Sequence, residues 1–234
     1  MKRRAFIGAG GALLLSGCAA GTARSGFDIA DSTAVPAPQW REGDAWTFRR
    51  TDGYNGVPRG VLTRTVESAD GSGFRVVTRN EAGAVLDDAL FAAPGIELSG
   101  TLSEDGPVKG RFSAPLRIFD FPLSAGKAWR QSLSRTDANG YSTAISLDVR
   151  VEGWQDVRAA DKTWRALVLH RSFMLGPKDA FSGALQREER EWYVPALRSP
   201  ARIEIAEHIM NRSILRAASP GDRFIYVLER FRAA

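Results

Sequence analysis

The residues able to do covalent, acid–base or metal chemistry are few in this 234-residue chain: one cysteine, Cys18, and two histidines, His170 and His208. Both histidines sit in β-like runs, WRALVLHRSF and IEIAEHIM. A catalytic zinc takes about three protein ligands, and no carboxylate lies at a motif spacing that would complete such a set. Gly71-Ser72-Gly73 is a turn, without the flanking pattern of the G-x-S-x-G elbow that exposes a hydrolase serine. A glycine-rich phosphate loop followed by Lys-Ser/Thr is missing as well. Asp87 and Asp88 offer a carboxylate pair, but adjacent strand side chains point to opposite faces, so one at most faces a given site. Arg187, Glu188, Glu189, Arg190 and Glu191 read as a solvated ladder of opposite charges. These residues predict no catalytic group, no metal site and no cofactor, hence no enzyme.

Cys18 has a different context. Before it the chain reads MKRRAFIGAGGALLLSG, a cationic start, an apolar stretch and a zone of small residues, which together make a secretory signal. The apolar stretch from Ala5 to Leu15 is about half of the ~20 residues that span a bilayer. Leu15-Ser16-Gly17-Cys18 resembles the lipobox of bacterial lipoproteins. The resemblance implies removal of residues 1–17 and a thioether from Cys18 to diacylglycerol. It also implies acylation of the new amino group by a chain such as palmitate. Acylation would remove an unpaired thiol from an oxidising compartment, and the acyl chains would make the bilayer a partner. Ala19, in place of the aspartate associated with inner-membrane retention, points by the same analogy to the outer membrane, facing the periplasm. Arg3-Arg4-Ala5-Phe6-Ile7 also resembles a twin-arginine export signal, with Lys2 where a polar residue is usual. An ordinary basic start accounts for the same residues, so both export routes stay open.

The formal charge of +5 falls to +2 once Lys2, Arg3 and Arg4 leave with the signal. A body so close to neutral argues against a nucleic-acid partner, which calls for cations concentrated on one face. Residues 18–38 include AAGTARSGFDIADSTAVPAP, small, polar and proline-ended. They predict a flexible tether that, at ~3.1 Å per residue, reaches about 60 Å from the lipid; a first strand around Phe27 to Ile29 is the alternative. Residues 39–234 form one periplasmic domain, with no repeat and no second boundary.

That domain is written in period two. Trp46 and Phe48 share a face, as do Ile145, Leu147, Val149 and Val151, and again Ala201, Ile203 and Ile205. RFIYVLERF carries bulky residues on both faces and suits an inner strand covered twice. QREEREWY, directly before Val194-Pro195, suits a charged strand better than two helical turns, and 94–122 is irregular, suited to a hairpin over an open face. Short strands between Gly, Asp, Asn and Pro clusters predict an all-β antiparallel architecture. It takes one of two forms, a single curved sheet (half-barrel) or an open β-sandwich.

Three aromatic signatures punctuate the strands: Gly43-Asp44-Ala45-Trp46-Thr47-Phe48, then FPLSAGKAW at 121–129, then Trp192-Tyr193-Val194-Pro195. In this order they resemble a class of exported bacterial β-rich domains with GDxWxF, FPLxxGxxW and WYxP motifs, a class without assigned catalytic residues. Gly43 and Gly126 allow the tight turns that place Trp46, Trp129 and Trp192 at strand ends. Large ring area favours these tryptophans as core, while a ligand-lining role in an aromatic cleft stays open. The sequence thus predicts a membrane-anchored envelope lipoprotein that binds a hydrophobic or envelope ligand without catalysis. The alternative is a structural or assembly lipoprotein meeting a protein partner through a sheet edge.

Overall fold

The computed structural model describes residues 26–101, 109–177, 183–210 and 218–234. The signal segment, Cys18 and the first part of the expected tether lie outside the described residues. The alternating runs become twelve strands. These are β1 (Ala45–Asp52), β2 (Pro58–Asp70), β3 (Gly73–Asn80), β4 (Val85–Ala93), β5 (Ile96–Gly100) and β6 (Gly110–Arg117) in the first half. β7 (Ala128–Asp137), β8 (Ser142–Ala159), β9 (Lys162–Leu175), β10 (Ala184–Val194), β11 (Ser199–Met210) and β12 (Ala218–Arg232) follow. A single 3-10 turn, Pro195–Leu197, is the only helical element among the described residues.

Every strand pairs antiparallel with its sequence neighbours, and β12 returns to β1, so the sheet closes into a barrel. The half-barrel and the open sandwich are both corrected here. The cause lies in β12: Tyr226 pairs with Arg50 of β1 on one side and with Ile203 of β11 on the other. The bulky residues on both faces of RFIYVLERF belong to the strand that closes the ring, and closure removes the exposed edges an open sheet must protect. The segment expected to cover an open face supplies β5 and β6 instead, both built into the wall.

The β6–β7 seam is thin. Three residue pairs join the two strands, from Gly110–Asp137 to Phe112–Arg135. Beyond them side chains bridge the gap. The Gln131 amide nitrogen donates to Pro115 O at 2.7 Å, its oxygen accepts from Arg117 N at 3.0 Å, and Ser113 Oγ accepts from Ser134 N at 2.9 Å.

From residue 26 the segment predicted as a tether lies bound along the wall. Asp28 pairs with Trp154 and Val35 with Leu123, and Val35 is 4% exposed. Gly153 makes this approach possible. It sits at a bulge in β8 with φ +144°, where a Cβ would lie 2.9 Å from Phe27 Cβ and 3.0 Å from Asp28 O. Arg165 then pairs with Asp28 at 2.6 Å, and Trp154 Nε1 donates to Asp31 O at 3.2 Å. Two apolar clusters fill much of the molecule, one around Trp46, Val66, Trp192 and Leu228, the other around Leu116, Leu123, Leu147 and Tyr193.

Candidate ligand cavity

An eight-stranded barrel is about wide enough for its own side chains to fill it, and twelve strands leave more room. The space here is a cavity of about 260 Å³. At ~30 Å³ per water it equals about nine waters. Trp40, Trp46, Phe91, Phe119, Phe173 and Tyr226 supply its aromatic surface.

Charge enters this space by strict alternation. On β9, Arg171 is in phase with Leu167, Leu169, Phe173 and Leu175, and it is 2% exposed. On β10, Arg187, Glu189 and Glu191 are in phase with Tyr193, and all four line the cavity. The expected solvated ladder is therefore only half correct. Glu188 and Arg190 take the other face, while Glu189 and Glu191 are each 6% exposed. The reason is compensation across strands. Arg171 donates to Glu189 at 2.7 Å and also pairs with Glu191, and Arg187 pairs with Glu189 at 2.7 Å. The Arg171 guanidinium lies 4.8 Å from the Phe119 ring centre, and its Nε has no hydrogen-bond partner among the described residues. Burial opposes ionisation of Glu189, but Arg187 and Arg171 outweigh it and hold its pKa below the ordinary carboxylate value. Burial has the opposite outcome at Glu191, whose pKa is raised despite Arg171.

Across the cavity, β5 presents Glu97, 5% exposed. Burial, reinforced by the Asp87 charge, pushes its pKa up to about 8 against the pull of Arg64 and Arg135. Its carboxyl is thus protonated at neutral pH. Arg64, half-buried on β2, projects between rings, 5.5 Å from the Phe91 centre and 5.8 Å from that of Trp40. Asp87 also lines the cavity and accepts from Thr101 N and Oγ1, while Asp88 pairs with Arg75 and Lys109. One carboxylate of that sequence pair faces the site and the other does not.

The three tryptophans singled out by sequence do not converge. Trp46, 1% exposed, lines the cavity and donates Nε1 to Leu197 O at 2.7 Å. Trp129 is half-buried and ties β7 to the end of β6 by donating to Arg117 O at 2.9 Å. Trp192 donates to Gln155 Oε1 at 2.8 Å, beneath Arg202 at 5.6 Å from its ring centre. His170 Nε2 lies 2.9 Å from Glu188 Oε2, and Ser172 Oγ donates to the other oxygen of the same carboxylate at 2.7 Å. The carboxylate sits between histidine and serine, so the histidine is not placed to take the serine proton. His208, on β11, pairs in register with Gln186 of β10. Among the described residues no group of three His, Cys, Asp or Glu side chains is arranged to hold a metal. Cys18 lies outside the described residues.

Sequence reasoning missed Glu97, Arg64 and the Arg171–Glu189–Glu191 group. The last was signalled: its charges occupy the parity of the flanking leucines and Tyr193. Arg64 was signalled in the same way, in phase with Leu62 and Val66 on β2, whereas Glu97 carried no comparable pattern.

No protein-family model matches the chain, and no curated protein matches it in sequence. Among solved structures it is similar to a Bacteroides fragilis protein assigned as exported, with a YmcC-like fold. That match has 17% identity and TM-score 0.51, covering 86% of this chain and 100% of the other. A second similar structure is the hypothetical lipoprotein YmcC from Escherichia coli, at 9% identity and TM-score 0.41 over 86% of this chain and 90% of that one. The first likeness establishes that this chain has the YmcC-like barrel fold.

Proposed function

We propose that the protein is a cell-envelope lipoprotein, anchored through acyl chains on Cys18 and facing the periplasm from the outer membrane, whose barrel binds a small ligand without transforming it. One observation carries the reading: a cavity of about 260 Å³ persists inside a closed barrel, in protein interiors that otherwise pack to near-crystal density. Support for a non-catalytic role comes from the ion pairing of the carboxylates on β10 and from the order of His170, Glu188 and Ser172. The lipobox, the GDxWxF, FPLxxGxxW and WYxP motifs and the YmcC-like fold favour the envelope. The sheet-edge partner is less favoured, because every strand has a neighbour on both sides.

Mass spectrometry of native protein extracted from membranes tests both halves. The expected result is an N-terminal peptide beginning at acylated Cys18, together with a small molecule released on denaturation. An unmodified Cys18 overturns the anchor. Absence of any released molecule, together with no binding of apolar or amphiphilic probes, overturns the binding role.

A further inference from the structure

Of the four arginines lining the cavity, three have a carboxylate within ion-pair distance and Arg64 does not. Arg171 serves Glu189 and Glu191, Arg187 serves Glu189, and Arg198 pairs with Asp44 at 2.8 Å. Arg64 has no carboxylate within ion-pair distance among the described residues; the rings of Trp40 and Phe91 flank it, and Glu97 and Glu191 feel its charge at longer range. Cation–π contacts of this kind hold a guanidinium in place without satisfying its five N–H donors. The planar fork of arginine matches a carboxylate with two parallel bonds.

Resting on the reading of the lumen as a ligand site, we infer that its occupant is a single-chain amphiphile ending in a carboxylate, with the head on Arg64 and the tail along the apolar wall. Three features narrow the head to a monoanion. Among the described residues Arg64 is the only cavity-lining cation with no carboxylate within ion-pair distance. Glu97, within electrostatic reach of Arg64, is protonated at neutral pH and therefore offers a donor, not a competing charge. Asp87 on the same wall would repel a second negative charge on the head. For the tail, Leu62, Phe173, Leu175, Ile203 and Ile205 provide an aliphatic and aromatic lining. A methylene occupies nearly the volume of a water molecule, so the cavity takes a chain of about eight to ten carbons.

The test is calorimetric titration of the full-length Cys18→Ala chain, which carries no acyl groups, with decanoate, decanol and decyltrimethylammonium. Decanoate is expected to bind at least about tenfold more tightly than either of the others. Arg64→Met should reduce decanoate affinity by a similar factor and leave decanol unchanged. Equal affinity for decanoate and decanol in the unsubstituted lumen overturns the head-group assignment, and needs no folded variant to do so. Undiminished decanoate binding by a folded Arg64→Met chain overturns it too. In both cases the lumen remains a ligand site. Failure of decanoate and decanol alike to bind overturns the assignment, and overturns the binding role too when native protein also releases no molecule.

Discussion

Arg171 donates to Glu189 across 2.7 Å inside the barrel, with side-chain exposures of 3% and 8%. Taking both charges out of water is costly, and their attraction recovers that cost only in good geometry. The pair is therefore more expensive to break than valuable to keep. Arg171→Met should destabilise the fold by about 3–5 kcal/mol, because Glu189 and Glu191 lose the cation that compensates them. Replacing all three, with leucine at 189 and 191, should recover part of that loss, Arg187 keeping Glu207 at 3.6 Å as a partner. Urea unfolding of the single and triple variants measures both. A near-neutral single variant would mean that water solvates the acids within the lumen.

Glu97 gives the opposite kind of dependence. Its folded pKa of about 8 lies above its ordinary value of 4.5, owing first to burial and then to Asp87 on β4. Arg64 on β2 and Arg135 on β7 oppose the rise, and Glu189 on β10 adds to it. An acid with a raised pKa contributes stability that is fully present below its unfolded pKa and lost as pH rises through the folded value. The stability of the wild-type chain minus that of Glu97→Gln should therefore fall between about pH 4.5 and 8, by on the order of a few kcal/mol. Chemical unfolding of both chains at intervals of pH checks this. Parallel curves would show that Glu97 titrates normally.

The tryptophans separate by what each ring touches. Trp46 is 1% exposed, bonded to Leu197 O and stacked on Phe231 with ring centres 5.7 Å apart. Trp46→Ala should cost ~3–5 kcal/mol, a large part of a domain's ~5–15 kcal/mol. Trp192→Ala, which also strips the partner of Gln155, should cost a comparable amount. Trp129 is only half-buried, so its truncation should cost less, with the loss centred on the thin β6–β7 seam. Thermal melting of the three variants orders them. A Trp46→Ala chain that melts normally but no longer binds ligand would make that ring a binding platform, not a structural one.

What the sequence conveyed depended on range. Ile145, Leu147, Val149 and Val151 announced β8 because strand alternation is local, and all four are buried as that pattern required. Barrel closure was not legible, because pairing Ala45 with Arg232 depends on summed twist and curvature around eleven other pairings. The cavity charges were partly legible. Arg171 stands at an apolar parity within ALVLHRSFML, yet the habit of placing charges in solvent hid that signal. Glu97 was beyond reach, since its partners come from β2, β4, β7 and β10.

The anchor is testable apart from the barrel. If the lipobox is cleaved as its resemblance implies, the mature chain begins at Cys18 and partitions into detergent. Two or three acyl chains anchor stably where one binds marginally. Cys18→Ala should then be neither processed at that site nor retained in membranes, as immunoblotting of fractionated cells would show. Processing at the same site with continued membrane retention would refute lipidation.

The bound N-terminal segment runs on into the lining of the cavity. Val35 exchanges both backbone hydrogen bonds with Leu123, at 2.7 and 2.9 Å, and Asp28 does the same with Trp154 at 2.9 and 3.0 Å. A few residues later, Pro38 and Trp40 line the cavity itself, and Trp40 is one of the two rings flanking Arg64. Burying Val35 is worth ~1.5–3 kcal/mol, and each backbone hydrogen bond adds a net ~0.5–1.5 kcal/mol. Ordering the segment costs ~1–2 kcal/mol per residue, so the net contribution is well below the sum of contacts, roughly 1–3 kcal/mol. A chain starting at residue 39 should therefore melt several degrees lower than one starting at residue 26. The shorter chain should also bind ligand more weakly, because Leu123 and Trp154 lose their cover and Trp40 loses the support that fixes its ring beside Arg64. Differential scanning calorimetry followed by decanoate titration measures both effects. Identical melting of the two truncations would show that the segment merely rests on the wall.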